Sequence, residues 1–117
     1  MSIHLTDQAH VRNVKYKDIR IENSSTKLVE YYIKHHDTYS KGNVRGKISD
    51  ISMEGIVVLD DSIGSISLEG YGEGHIIDGI SIGKIKFNGS YIEDISSIIN
   101  KNKYKYAYDI SYDGKTI

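Results

Sequence analysis

The chain has 117 residues and nearly balanced charge, with 15 lysines and arginines against 16 aspartates and glutamates. That length allows one domain, residues 1–117, and the lack of a long basic stretch argues against a nucleic-acid or anionic-membrane partner. The absence of cysteine excludes disulfide bonds and thiolate metal ligands. No segment approaches the length of a membrane span, the N-terminus lacks a signal-peptide pattern, and no motif indicates a cofactor.

The first half of the chain is rich in strand-forming residues separated by polar turns. Residues 11–23 alternate apolar and charged positions, which predicts two short strands with a bend near Asp18. Residues 28–33 predict a further strand, and the polar residues 35–43 predict a loop.

An eleven-residue phrase occurs three times, with apolar residues at its second, fourth, seventh and ninth positions. The copies are residues 13–23, 50–60 and 79–89. A strand-rich repeat of a few tens of residues is typical of a solenoid. Equivalent apolar side chains should then stack between rungs, in the ladders Val14/Ile51/Ile80, Tyr16/Met53/Ile82, Ile19/Ile56/Ile85 and Ile21/Val58/Phe87.

The phrases end at Asn23, Asp60 and Gly89, where we expect a left-handed or bridge backbone conformation. The alternative architecture is an antiparallel sandwich. It also uses short strands, but it does not require the phrases to recur in register.

The second half continues with a predicted strand over residues 63–68 and a glycine-rich turn over 70–74. Residues 91–99 have apolar residues at helical spacing, but the segment is short and predicts at most a single turn. Residues 101–106 interleave three lysines with tyrosines. Such a segment either binds phosphate and stacks bases or forms a solvated terminal strand, and the second interpretation is favoured.

The repeated phrase resembles the coil signature of the pectin-lyase-like right-handed β-helices, most closely the polygalacturonase-like glycoside hydrolases of family twenty-eight. Residues 70–82 and 85–92 are similar to the way such chains finish, with a G-Y-x-x-x-H turn, a long strand, an N-G turn and a closing strand. The resemblance covers residues 9–110. It implies an all-β fold, a short right-handed parallel β-helix of about three to four coils.

The chain departs from the catalytic motifs of that family. It contains no N-T-D and no R-I-K motif, and its Gly74-His75-Ile76 lacks the second glycine of G-H-G. Asp60-Asp61 matches a D-D pair without its partner motifs. The resemblance therefore implies C-terminal coils that follow the catalytic ones, and no catalytic role is transferred to this chain.

A few residues are candidates for sugar chemistry. Glycoside hydrolysis needs an acid and a base or nucleophile, and an intact small hydrolase would use Asp60, Asp61 and His75. The adjacent aspartates would point to opposite faces of a strand, so capping a turn is the favoured alternative. Tyr71 and His75 are the candidates for carbohydrate contact, against purely structural roles.

His35-His36-Asp37 has the residue types of a metal site or a general-base dyad. Adjacent histidines on an extended segment diverge, so a solvated loop is favoured and no metal site is predicted.

Three functions follow as expectations. The first is a non-catalytic terminal β-helix portion of a polygalacturonase-like carbohydrate-active protein, with polysaccharide as its partner. The second is the intact small hydrolase, and the third is a structural β-solenoid. An uncapped start near His10 predicts a homo-oligomer through the open β-helix end. A full-length polysaccharide-degrading enzyme would be secreted, although this chain shows no signal peptide.

Overall fold

The computed structural model describes residues 1–6, 9–22, 27–34 and 46–117. Within those ranges the chain forms β-strands and one 3-10 turn, with no α-helix, so the all-β prediction is confirmed. The 3-10 turn is Ser96–Ile98, which also confirms the prediction of a single turn within residues 91–99. The strands are β1 Ser2–Leu5, β2 His10–Lys17, β3 Arg20–Glu22, β4 Lys27–Ile33, β5 Lys47–Glu54, β6 Val57–Leu59, β7 Ser65–Glu69, β8 Ile77–Ile82, β9 Lys86–Phe87, β10 Ser90–Tyr91, β11 Ile99–Lys105, β12 Ala107–Tyr112 and β13 Lys115–Thr116.

The strands form three sheets. Sheet 1 has the order β1-β4-β7-β11, sheet 2 the order β2-β5-β8-β12-β13, and sheet 3 the order β3-β6-β9-β10. From β2 to β9, each strand lies in a different sheet from the strand before it, and strands three apart pair in parallel. In an antiparallel sandwich the neighbouring strands of a sheet run in opposite directions, so these parallel pairs exclude that architecture.

The register of sheets 2 and 3 follows the repeated phrase. Three of the predicted ladders are confirmed residue by residue: Val14/Ile51/Ile80, Tyr16/Met53/Ile82 and Ile21/Val58/Phe87. The fourth, Ile19/Ile56/Ile85, lies at the adjoining corner. There the Ile19 carbonyl accepts a hydrogen bond from the Val57 amide at 2.8 Å, and the Ile56 carbonyl accepts one from Lys86 at 3.0 Å.

Each long strand of sheet 2 contains one residue in the left-handed region. These residues occupy the same position on neighbouring strands, and their φ angles are 58° at Asn13, 55° at Asp50, 68° at Gly79 and 53° at Asp109. The extra residue resets the alternation, so that apolar side chains on both sides of it face inward. Asn, Asp and Gly are the residues that tolerate this conformation best, which explains the first letter of each phrase.

The expectation for the phrase ends is met only in part. Gly89 has a φ of 89° and forms the tight β9–β10 turn with Asn88, whose φ is 47°. Asp60 is not among the residues with positive φ, and Asn23 lies outside the described residues. Left-handed residues also occur at the starts of the phrases, where they interrupt the strand of sheet 2 and keep its apolar face inward, and at the sixth position of two phrases, Asp18 and Gly55.

The apolar ladders meet in one core shared by the three sheets. Along one ladder Ile51 is 1% exposed, Ile80 is 0% exposed and Ile110 is 2% exposed. Burying a side chain of this size contributes about 1.5–3 kcal/mol before chain entropy is counted.

The two ends of the stacked sheets differ. At one end the hairpins β9–β10 and β12–β13 finish sheets 3 and 2. The Tyr112 hydroxyl joins them by accepting a hydrogen bond from the Ile85 amide at 3.0 Å and donating one to the Ile92 carbonyl. At the other end β1, β2 and β3 are the outermost described strands of their sheets.

Candidate binding groove on sheet 1

The outer face of sheet 1 carries two rows of polar side chains. In one row Ser2, Glu30 and Ser67 lie side by side, and in the next His4, Tyr32, Glu69 and Lys105 do so. The strand residues between the two rows point to the opposite face of the sheet, into the core, where Tyr31 and Leu68 are fully buried. The sheet therefore brings together side chains from four separate parts of the chain.

Two carboxylates on this face are nearly buried, and each contacts two basic side chains. Glu30 contacts the Lys27 ammonium at 2.5 Å and His4 Nε2 at 2.6 Å. Glu69 contacts Lys34 at 3.1 Å and Lys105 at 3.6 Å. The glutamate side chains are only 11% and 12% exposed, so these contacts offset the cost of removing both charges from water.

The environment of Glu30 keeps it ionised. A hydrogen bond from Lys27 is the largest influence and, together with His4, lowers the pKa of the Glu30 carboxyl, against the opposing effect of burial. Glu30 can therefore bind cations and accept hydrogen bonds, but it carries no proton with which to act as a general acid.

The aromatic ring of Tyr32 is already in contact with its neighbours. The His4 ring stacks on it at a centroid distance of 4.1 Å, and the Lys34 ammonium lies 4.5 Å from its centroid. Tyr32 consequently organises the charged groups around it more than it offers a stacking surface.

Two adjoining pockets follow these rows and share Lys34 and Glu69. One has a volume of about 220 Å³ and extends past Glu30 and Ser67 to Lys103. The other has a volume of about 370 Å³ and extends past Gly70 to Tyr71 and Lys105. We call the two together the sheet 1 groove. Its charged lining residues are four lysines and two glutamates, namely Lys27, Lys34, Lys103, Lys105, Glu30 and Glu69.

The structure brings Tyr71 and His75 together beside this groove. Their rings meet edge to face at a centroid distance of 6.3 Å, and the Tyr71 amide donates a hydrogen bond to the His75 carbonyl at 3.0 Å. Tyr71 is 46% exposed, and His75 Nδ1 is buried without a hydrogen-bond partner. Gly70 permits the turn, because a Cβ there would lie 2.7 Å from Tyr106 Cβ.

Asp60 and Asp61 lie at a different corner, between the end of β6 and the start of β7. They are in a bend outside the strands, where the Asp60 side chain accepts a hydrogen bond from the Asp61 amide at 2.6 Å. The Asn88 side chain donates to the Asp60 carbonyl at 2.7 Å. No hydrogen bond or ion pair connects either aspartate with His75, which lies at the corner between sheets 1 and 2.

Of the residues that line the groove, Tyr71, Lys103 and Lys105 belong to segments that the sequence analysis singled out, whereas Glu30, Glu69 and the lysines of β4 and its end do not. Glu30, Glu69 and Lys105 are far apart in the chain, and only the register of sheet 1 makes them neighbours. The sequence pattern that could have identified Glu30 and Glu69 is a charged residue at an outward position within, or at the end of, an otherwise apolar strand. The segment 101–106 does form a strand, β11, at the edge of sheet 1, and Lys103 and Lys105 belong to it.

Among residues 1–6, 9–22, 27–34 and 46–117, no three His, Asp or Glu side chains are grouped to hold a metal ion. His35, His36 and Asp37 lie outside these ranges. The described part of the chain contains no helix with the length and apolar character to cross a membrane.

No protein-family model, no curated protein and no solved structure matches this chain.

Proposed function

We propose that the chain winds as a short right-handed parallel β-helix of about three to four coils and acts as a non-catalytic, polysaccharide-binding portion of a polygalacturonase-like protein. The winding is supported by the strand order, in which each turn of the chain visits sheets 2, 3 and 1 before pairing with the turn before it. The right hand is the one that parallel crossover connections almost always adopt.

The ligand that fits the sheet 1 groove best is an anionic polysaccharide, and the excess of lysine in the groove is the observation that carries this proposal. Four lysines face two glutamates, and Lys103 makes no ion pair with a described residue. Tyr71 adds an exposed aromatic ring at one end. Sugar rings stack on such surfaces, while lysines bind carboxylate groups along the polymer.

The groove does not have the features of a glycosidase. A general acid needs a carboxyl group that holds its proton near neutral pH, whereas the pKa of Glu30 is lowered. Both glutamates are also occupied by basic partners. These contacts suit binding and orientation of a charged polymer.

The test is binding of polygalacturonate, with dextran as the neutral polysaccharide and polyglutamate as the polyanion without sugar. Lys103→Gln should weaken polygalacturonate binding about three- to tenfold, since one charge contact is lost. Lys101→Gln is the matched control, because Lys101 is an exposed lysine on the same strand that does not line the groove. Tyr71→Ala should weaken binding of polygalacturonate but not of polyglutamate.

Equal binding of dextran, or equal effects of Lys101→Gln and Lys103→Gln, would contradict this proposal. The alternative of an intact hydrolase that uses Asp60, Asp61 and His75 stays a prediction. Release of reducing ends from polygalacturonate that is lost in Asp61→Ala would support it.

A further inference from the structure

The end of the molecule formed by β1, β2 and β3 presents strand edges to which no described strand is bound. The longest is β2, which spans eight residues, His10–Lys17. Its other edge pairs in parallel with β5 over the whole of that length. The backbone N–H and C=O groups of a strand edge are a template for pairing with a further strand.

The apolar side of β2 is incompletely covered. Val11, Val14 and Tyr16 are only partly buried, although they stand in register with residues of β5 that are completely buried. Those residues are Ile48, Ile51 and Met53, and their exposure does not exceed 1%. One more strand at the same spacing would cover the β2 side chains as β2 covers those of β5.

The outward side of β2 is basic. Arg12, Lys15 and Lys17 are exposed, and His10 stands beside them. If two copies paired through β2 about a two-fold axis, cations of one copy would face cations of the other. Like charges on opposed strands are destabilising, and lysine on an edge strand is a common device against self-pairing. A strand with acidic outward residues meets no such barrier.

We propose that β2 accepts an extended acidic segment of another protein, which adds a strand to sheet 2 with acidic residues outward and apolar residues inward. The existing sheet offers a precedent, because Lys17 stands in register with Glu54 of β5. Backbone hydrogen bonds supply affinity in such strand addition, and the alternating side chains supply specificity. The surface is separate from the sheet 1 groove, so this inference does not depend on the polysaccharide proposal.

The experiment uses an end-blocked eight-residue peptide, Glu-Val-Glu-Gly-Val-Glu-Val-Glu, whose valines and glutamates match the inward and outward positions of β2 and whose glycine stands opposite the left-handed residue Asn13. Its binding is measured by fluorescence anisotropy beside a valine–lysine peptide and an N-methylated copy of the valine–glutamate peptide. We expect the valine–glutamate peptide to bind, and the other two to bind at least about tenfold more weakly, because one has the wrong charge and the other cannot donate backbone hydrogen bonds.

Two charge variants locate the site. Lys15→Glu/Lys17→Glu should weaken binding of the valine–glutamate peptide about tenfold or more and favour the valine–lysine peptide. Lys101→Glu/Lys115→Glu changes the net charge equally at exposed positions away from β2 and should leave affinity within about twofold.

Equal binding of the N-methylated peptide would overturn the proposal, because the peptide would then bind without the backbone hydrogen bonds that strand pairing requires. Equal loss in both double variants would overturn it too. Light scattering tests the alternative occupant, a second copy of the chain, which the prediction of homo-oligomers through the open end requires. A dimer that Lys15→Glu/Lys17→Glu alters and that the valine–glutamate peptide does not dissociate would place a second copy at this edge and overturn the proposal.

Discussion

Glu30 illustrates how a nearly buried charge is accommodated on the outer face of a sheet. The Lys27 and His4 contacts replace the water that the carboxylate gives up, and they lower its pKa. Because the folded-state pKa lies below that of the unfolded chain, the ionised group stabilises the fold. That contribution is complete above the unfolded pKa and is lost as pH falls through the folded pKa.

Glu30→Gln should therefore lower the free energy of unfolding at about pH 7 by about 1–3 kcal/mol, since two basic groups lose their charged acceptor. The difference from the native chain should shrink as the pH falls through the folded-state pKa, because the native carboxyl then becomes protonated. Urea denaturation over a series of decreasing pH values measures the difference. A difference that stays constant would show that packing, and not the charge of Glu30, is responsible.

At this scale the sequence identified Tyr71 and His75 as candidates for carbohydrate contact, but it did not identify the charged groups beside them. Tyr71 and His75 share one short turn, so their proximity is local. The contacts of Glu69 with Lys34 and Lys105 depend on the register of three strands, and no pattern within one segment encodes them.

Among the elements, the strands of sheet 2 are defined by their left-handed residue. Asp50 lies in β5 between neighbours β2 and β8 that carry Asn13 and Gly79 at the same position. A β-branched residue strongly resists a positive φ, even though it is favoured elsewhere in a strand.

Asp50→Val should destabilise the fold by about 1–3 kcal/mol, because the backbone conformation at this position is strained for valine. Asp50→Asn should be nearly neutral, since asparagine occupies the equivalent position in β2. Ser52→Val is the control two residues along the same strand, at an outward position with ordinary strand geometry. Thermal or urea unfolding compares the three, and equal losses in the two valine variants would contradict the interpretation.

The phrase predicted the strands β2, β3, β5, β6, β8 and β9, and β12 and β1 are among the strands that it did not predict. Strand β12 repeats the pattern once more, with Asp109-Ile110-Ser111-Tyr112 aligned to Gly79-Ile80-Ser81-Ile82, yet alternating tyrosines before it obscured the match. Strand β1 is too short to show periodicity, and its position depends on pairing with β4.

For the molecule as a whole, stability should be highest in the middle of the stack and lower toward β2. Ile80 has ladder neighbours on both sides and is completely buried, whereas Val14 has one neighbour, Ile51, and is only partly buried.

Ile80→Ala should cost about 2–5 kcal/mol, because the surrounding ladders hold a cavity open. Val14→Ala should cost less than half as much, since less surface is buried and the end can adjust. Denaturant unfolding of both variants measures the gradient. Similar losses would indicate that the β2 edge is covered in solution, by a partner or by a second copy.

The all-β class and the register of the repeated phrases could be predicted because each copy of the phrase repeats the same local requirement. The difference between the two ends of the sheets could not be predicted from the sequence. It depends on Tyr112, whose hydroxyl links two hairpins through the Ile85 amide and the Ile92 carbonyl, and no periodicity marks that role.

The aligned left-handed residues also restrict how the length of this chain can change in evolution. Deleting one residue beside Asp50 would reverse the facing of half of β5 and expose Ile51 or Ile48 to water. Adding or removing one strand from each of the three sheets keeps every apolar side chain facing inward, because each new strand of sheet 2 meets neighbours with the left-handed residue at the same place. Homologous chains should therefore differ in length by whole repeats or at the corners, and rarely within the strands of sheet 2.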